Sequence, residues 1–212
     1  MRLLRPLVLG VTTATLLSGC SALSALGGAA TPLDAYDLAA PVNGPQARGR
    51  ASARQLVVEL PTSPGALSTD RILIRPRPLQ AAYLPDGKWA EDVPVMVQTL
   101  LVRSLEDSNA FRYVGRRPLG ASGDFALVSE LTDFQAEVAA EGKAATIRLR
   151  LTARLVREED ATVLSSRTFN AAAAVASTDT PDLVDGFNQA NQQLLTEAVS
   201  WVLSTLNIAV GK

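Results

Sequence analysis

From Ala144 to Arg157 apolar and polar residues alternate, with Ile147, Leu149, Leu151, Ala153 and Leu155 in one set and Arg148, Arg150, Thr152 and Arg154 in the other. Successive side chains of a strand point to opposite faces, so this period of two predicts a β-strand with one buried and one wet side. Asp124 to Val138 and Thr162 to Val175 read as long strands on either side of it. Glu141-Gly142-Lys143 and Glu158-Glu159-Asp160-Ala161 are the expected hairpin loops. Upstream the runs are shorter. Gln55 to Leu60 is a strand ended by Pro61 and the Ser63-Pro64-Gly65 turn, and Arg71 to Arg75 is a second, stopped by Pro76 and Pro78. Leu79 to Leu84 is a third, closed by a Pro85-Asp86-Gly87 turn, and Tyr36-Asp37-Leu38 is a short first strand docking onto the rest. Prolines this dense confine such strands to sheet edges or to their own ends.

Two segments switch to helical spacing. Between Val93 and Ser108 the residues Val93, Met96, Val97, Leu100, Leu101 and Leu105 form one stripe, with Pro94 in the first turn where a missing N–H costs little. The second begins at Thr180, the expected N-cap, followed by Pro181, Asp182 and Asp185 where the helix dipole favours negative charge. Its stripe of Leu183, Phe187, Ala190, Leu194, Ala198 and Trp201 predicts a helix lying along a sheet. The expected fold is α+β: an antiparallel or mixed sheet of five to six strands with two main helices packed on one face.

The first residues have a different logic. Arg2 and Arg5 precede an uncharged run from Leu7 to Leu17, the arrangement of a secretory signal. That run is too short to cross a bilayer, which takes ~20 apolar residues. It closes on Leu17-Ser18-Gly19-Cys20, which has the form of a lipobox: a small residue before the cysteine fits the signal peptidase, and the thiol accepts a diacylglyceryl group. The expectation is cleavage between Gly19 and Cys20 and lipidation of Cys20. Anchoring through two or three acyl chains is effectively permanent, since each buried CH₂ contributes ~0.8 kcal/mol. The organisation expected is a signal peptide over 1–19, a lipidated N-terminus and Ala/Gly/Ser/Pro-rich tether over 20–50, and a single globular domain over 51–212.

Composition narrows the chemistry. Without residues 1–19 the chain carries 18 basic and 21 acidic side chains, a formal charge of −3, which gives no electrostatic reason to bind nucleic acid or anionic lipid surfaces. There is one cysteine and no histidine in 212 residues. That removes histidine general bases, Ser-His triads and the commonest transition-metal ligand, and with Cys20 acylated no thiolate remains for catalysis or zinc. Glu91-Asp92, Glu158-Glu159-Asp160 and Asp179 to Asp185 lack the spacing of a calcium loop, and Gly115, Gly120 and Gly123 form no phosphate-binding fingerprint. The reading assigns no catalytic residue, no metal and no cofactor. The row Arg148, Arg150 and Arg154 is a candidate contact for a phosphate headgroup or an acidic partner, against the plainer reading of a solvated sheet face. Tyr83 and Trp89 are candidates to line a surface groove or to cap the core.

Taken together, the lipobox, Tyr36-Asp37-Leu38, Ile72-Leu73-Ile74-Arg75, Tyr83 followed by Lys88-Trp89-Ala90-Glu91, Phe111-Arg112-Tyr113-Val114 and the terminal helix with Trp201 carry a likeness. The chain resembles the ABC-type transport auxiliary lipoproteins, the group that includes paraquat-inducible protein C. The resemblance implies a non-enzymatic lipoprotein anchored in the outer membrane and facing the periplasm. Its expected partners are an inner-membrane ABC permease and ATPase and a mammalian-cell-entry-type periplasmic protein, in lipid transport and with self-association as a homo-oligomer. Ser21, where an Asp commonly retains lipoproteins in the inner membrane, agrees with the outer-membrane address. Only Cys20 carries over with a defined role. In the family a proline follows Trp-Ala-Glu directly, whereas here Asp92 and Val93 intervene before Pro94. The alternative is an assembly or activator lipoprotein serving lipopolysaccharide export or cell-wall synthases, and a periplasmic hydrolase is disfavoured by the missing histidines.

Overall fold

The strand with the cleanest alternation lies in the middle of a meander. The computed structural model describes residues 32–211. In it β6 (Phe125–Val138), β7 (Ala145–Arg157) and β8 (Thr162–Val175) pair antiparallel over nearly their full lengths. Ile147, Leu149, Leu151, Ala153 and Leu155 are buried while Arg148, Arg150 and Arg154 are exposed, as the period of two requires. Four further strands precede the first helix: β1 (Asp34–Tyr36), β2 (Ser52–Val58), β3 (Arg71–Arg75) and β4 (Ala82–Trp89). A fifth, β5 (Phe111–Gly115), follows it. These join the meander through the other edge of β6, where β2 and β3 each pair parallel with it, to give one mixed sheet of eight strands. The fold is α+β as expected. The strand that the sequence pattern did not announce is β5, whose partner β2 is remote in sequence.

Both helices form where the stripes place them. Helix α1 (Val93–Asp107) buries every residue of its apolar stripe, and Gln98, itself buried, donates from Nε2 to the Val58 carbonyl at 2.9 Å and so ties α1 to β2. Helix α2 (Thr180–Thr205) runs along β7 and β8 and also touches β4 and α1. Each helix is stopped by an asparagine in the left-handed region, Asn109 with φ 52° and Asn207 with φ 54°. After α2 the Asn207 and Ile208 amides donate back to the Ser204 and Leu203 carbonyls, which satisfies two of the helix's last acceptors.

Where helix and sheet approach most closely the chain carries glycine. A Cβ on Gly186 would overlap a Val175 methyl and stand 3.0 Å from Ile147 Cγ1, and one on Gly87 would stand 2.7 Å from Thr180 Cγ2. The centre of the core is aromatic: Trp89 meets Phe187 edge-on at 5.2 Å and Phe134 at 5.9 Å, while Phe134 and Phe187 stack at 5.3 Å. These three rings come from β4, β6 and α2, so they join the two halves of the sheet to the long helix.

Four local expectations are corrected. Pro85-Asp86-Gly87 is not a turn: β4 continues through it to Trp89, with a register shift against β3 that bulges β4 outward. The bulge persists because β1 pairs with its far end, Asp34 opposite Gly87 and Tyr36 opposite Trp89. Consequently the preceding strand starts at Ala82 rather than Leu79, and residues 76–81 are the loop. The N-cap of α2 is Asp179, and Thr180 sits in the first turn with its Oγ1 donating to Asp86 Oδ1 at 2.7 Å. Finally, the compact unit begins at Leu33, not at residue 51. Within the stretch expected as tether, Leu38 is buried, the Ala39 carbonyl accepts from Asn191 Nδ2 and Gln192 Nε2, and the Ala47 and Arg48 amides bond the Ser108 and Ala209 carbonyls. Small residues there permit close packing against α2 as readily as they permit a free linker.

Candidate functional site

Gly19 and Cys20, the cleavage and lipidation positions, lie outside the described residues. The other sequence-derived candidates are all described, and the structure separates them.

Arg148, Arg150 and Arg154 share the exposed face of β7, two or four residues apart, because alternation leaves them no other side. Their neighbours across the strands differ. Arg148 Nε donates to Glu137 Oε2 at 2.6 Å, and that hydrogen bond, followed by the carboxylate's charge, raises the guanidinium pKa above its ordinary value. Arg150 stands in register with Asp133 and Asn170, and Arg154 with Val128 and Ser166. Among the described residues neither Arg150 nor Arg154 takes part in an ion pair. A shallow depression of about 250 Å³ opens between Asp133, Arg148, Arg150 and Asn170. It presents guanidinium and amide donors beside a carboxylate, a surface suited to binding acidic or hydrogen-bonding groups rather than to bond cleavage.

Trp89 is wholly buried at the middle of the aromatic cluster, so it packs the core and lines no groove. Tyr83 is 38% exposed; its hydroxyl donates to the Ala66 carbonyl at 3.1 Å, and the Arg71 guanidinium lies 5.8 Å from its ring centre. It therefore stands apart from the arginine row, on the other side of β3 from β6. Among the described residues no group of three His, Cys, Asp or Glu side chains is placed to hold a metal ion. No described helix is long and apolar enough to cross a membrane.

Other surfaces were not singled out from the sequence. A cleft of about 590 Å³ lies between residues 40–46, the end of α1 and Leu195 and Val199 of α2, and it exists only because the N-terminal stretch docks there. A second, of about 460 Å³, is lined by Arg75, Arg77, Pro78 and Leu79 with Asp133, Gln135 and Glu137. Its signal in the sequence is the Arg-Pro-Arg-Pro-Leu run, whose pattern predicts a strand end followed by a new strand.

The sheet, with α2 laid across its meander and α1 across β2 and β5, is a domain already seen in solved proteins. A protein of Xanthomonas campestris superposes with a TM-score of 0.70 at 28% identity, covering 82% of this chain and 95% of that one. A further solved protein shares the fold with a TM-score of 0.62 at 17% identity, covering 80% and 98%. The chain is also 26% identical over 182 residues to an uncharacterised protein of Bradyrhizobium diazoefficiens, covering 84% of this chain and 47% of that relative, so it spans about half the relative's length. Residues 36–199 match the ABC-type transport auxiliary lipoprotein component family, and the chain belongs to that family.

Proposed function

We propose that this protein is a non-catalytic, lipid-anchored component of an intermembrane lipid transport system, held at the periplasmic face of the outer membrane through Cys20. The observation that carries the reading is the coincidence of two independent features: a lipobox at Leu17-Ser18-Gly19-Cys20 and a family match that starts shortly after it and runs through the folded domain. In this reading residues 1–19 are removed, residues 20–32 link the anchor to the domain, and Ser21 permits the outer-membrane address.

The partner is a mammalian-cell-entry-type protein that spans the periplasm from an ABC permease and ATPase in the inner membrane. The lipoprotein receives or braces its far end. Tethering confines the domain to a thin layer and so raises its effective concentration for a partner arriving there. Arg150 and Arg154, which form no ion pair among the described residues and stand on an open sheet face, supply donors for such a contact. The absence of histidine and the acylation of the single thiol support a binding role over an enzymatic one.

The test is purification of the full chain from membranes with native lipids, followed by mass spectrometry of what accompanies it. Co-isolation of a mammalian-cell-entry-type protein is expected, together with its loss on Cys20→Ser. Recovery of cell-wall synthases alone would move the assignment to an activator lipoprotein.

A further inference from the structure

Three strands of the sheet have a single partner, and they are unequal. β1 has 3 residues and β5 has 5, whereas β8 has 14 and pairs with β7 alone. Among the described residues nothing but β7 bonds the backbone of 163–175, so alternate amides and carbonyls along the other edge of β8 face outward with only water as partner. Sheet edges are ordinarily blunted by brevity, proline, charge or a bulge. β8 has one bulge, at Leu164, and beyond it residues 165–175 hold no proline and one charge, Arg167. That guanidinium lies 5.1 Å from the Phe169 ring centre, on the face toward α2, and does not guard the edge. A long unblunted edge is complementary in its backbone to an added strand.

The side chains of the other face select which strand. Ser166, Thr168, Asn170, Ala172 and Ala174 are exposed, short and uncharged. Beside them on β7, Arg154 stands in register with Ser166 and Arg150 with Asn170. On the β6 flank of this row are Glu130, Asp133 and Glu137, of which only Glu137 holds an arginine, Arg148, among the described residues. The row therefore has carboxylates on one flank and none on the other. A strand added to β8 would lie two strand spacings, ~10 Å, from β7. An arginine leaning across a serine or an asparagine spans that gap to a carboxylate, and the depression between Arg150 and Asn170 opens in this direction. Because Arg150 and Arg154 are four residues apart, the carboxylates that complement them are four apart too, on one face of the incoming strand. A second copy of this chain does not supply them. β8 itself has no acidic residue and brings Arg167, β5 brings Arg112 and no acid, and β1, with Asp34, is too short to cover the edge.

We infer that the free edge of β8 is a strand-docking site for an extended segment of another protein that carries carboxylates at positions i and i+4. Backbone hydrogen bonds along 165–175 hold the segment, and Arg150 and Arg154 reach across β8 to its acidic face. The inference rests on the transport reading above for the identity of the partner and adds how the domain grips it.

The experiment uses the lipidated mature chain in detergent micelles. The probe is a synthetic peptide of alternating Thr and Val with Glu at i and i+4. Its control has the same composition with Glu at i and i+3, which in a strand face opposite ways. Amide exchange followed by NMR is expected to slow at every second residue within 165–175 when the probe is added. The probe should bind about fivefold more tightly than the control, the size of two exposed ion pairs, and Arg150→Gln with Arg154→Gln should abolish that preference while β7 amides keep their protection. Equal binding of the two peptides overturns the proposal, as does binding that leaves the β8 amides unprotected. Protection of those amides without peptide, rising with protein concentration, gives the edge to a second copy and overturns it as well. Co-isolation from membranes scores the transport reading separately. A mammalian-cell-entry-type protein recovered with a chain that ignores the probe removes the docking edge alone, whereas probe binding with no such protein recovered keeps the edge and removes the transport partner.

Discussion

The meander with α2 and the sheet half that precedes it are built by opposite means. In the former, β6, β7 and β8 follow one another through short hairpins and pair residue for residue, so every strand's partner is its neighbour in sequence. In the latter, β1 pairs with β4, β2 with β5 and β6, and β3 with β6, all of them parallel and across long connections, while β3 and β4 form a short antiparallel hairpin. The comparison teaches where specificity resides. A long antiparallel strand is fixed by its own alternation, whereas a short parallel strand has too little pattern of its own and is fixed by what it packs against. The second kind should depend on a few large core contacts, and the structure identifies them: Trp89 of β4, wedged between Phe134 of β6 and Phe187 of α2.

The largest effect we expect therefore comes from Trp89→Ala. Truncating a fully buried aromatic costs about 3–5 kcal/mol, measured here as a lowered urea midpoint. Hydrogen exchange sharpens the comparison: amides of β1, β3 and β4 lose protection first while those of β7 and β8 retain it. Uniform loss along the whole sheet would show that the two halves are one cooperative unit and that the contrast drawn above is only topological. Phe169→Ala, which removes the ring packed edge-on against Trp201 at 5.6 Å, is the matching cut within the meander and should weaken β8 and α2 instead.

Next in size is a change that ordinary helix rules would score as stabilising. Alanine for glycine at an exposed helix position gains about 1 kcal/mol. At Gly186, however, the new Cβ meets Val175 and Ile147, so Gly186→Ala is expected to lower stability by about 1–3 kcal/mol through overpacking. Adding Val175→Ala should recover part of that loss, and a double-mutant cycle with no coupling would refute the close approach. Gly120→Ala, with open space around its Cβ, is the control and should leave the midpoint unchanged.

The same contrast explains what could be read in advance. The long strands and both helices were legible because each carries ten or more residues of consistent period, and the two hairpin loops were legible as the polar breaks between those strands. β5 was not, because Phe111 to Gly115 offers two turns of alternation at most and has no partner nearby in sequence. Pro85-Asp86-Gly87 has the composition of a turn, and only the pairing of β1 with its far side, together with the Thr180 hydroxyl on Asp86, makes it a bulge. Residues 33–50 look like linker for a related reason: small side chains suit a tether and a close fit on α2 equally. Among the candidate contacts, the arginine row was legible from period alone. The burial of Trp89 depends on Phe134 and Phe187, which no local pattern announces.

A smaller effect tests the bulge itself. Thr180→Val keeps the shape of the side chain and removes the hydrogen bond to Asp86, at an expected cost of about 1 kcal/mol. Because the bond joins β4 to the first turn of α2, the change should increase exchange at Asp86 to Lys88 and leave β7 and β8 as they were. If exchange rises instead along the meander, the bulge is not held by α2.

The smallest effect concerns a pair of charges at the open end of the β3–β4 hairpin. Lys88 Nζ and Asp70 Oδ2 stand 2.9 Å apart, and the hydrogen bond from Lys88, aided by its charge against an opposing cost of burial, lowers the Asp70 carboxyl pKa below its ordinary value of 3.8. A carboxyl lowered in the folded state contributes stability at pH values above its unfolded pKa, and that contribution is lost as pH falls through the folded one. The window is thus acidic, below about pH 4. Both side chains are more than a third exposed, so solvent screening keeps the contribution to well under about 1 kcal/mol. Asp70→Asn should accordingly lower the urea midpoint slightly at pH 7, and less in high salt, with the difference from the parent protein vanishing as the pH falls toward 3. A difference that grows on acidification would mean that the carboxyl is neutral in the folded hairpin and that Trp89, through its backbone bond from N to the Asp70 carbonyl at 2.7 Å, holds this edge of the sheet without help from the ion pair.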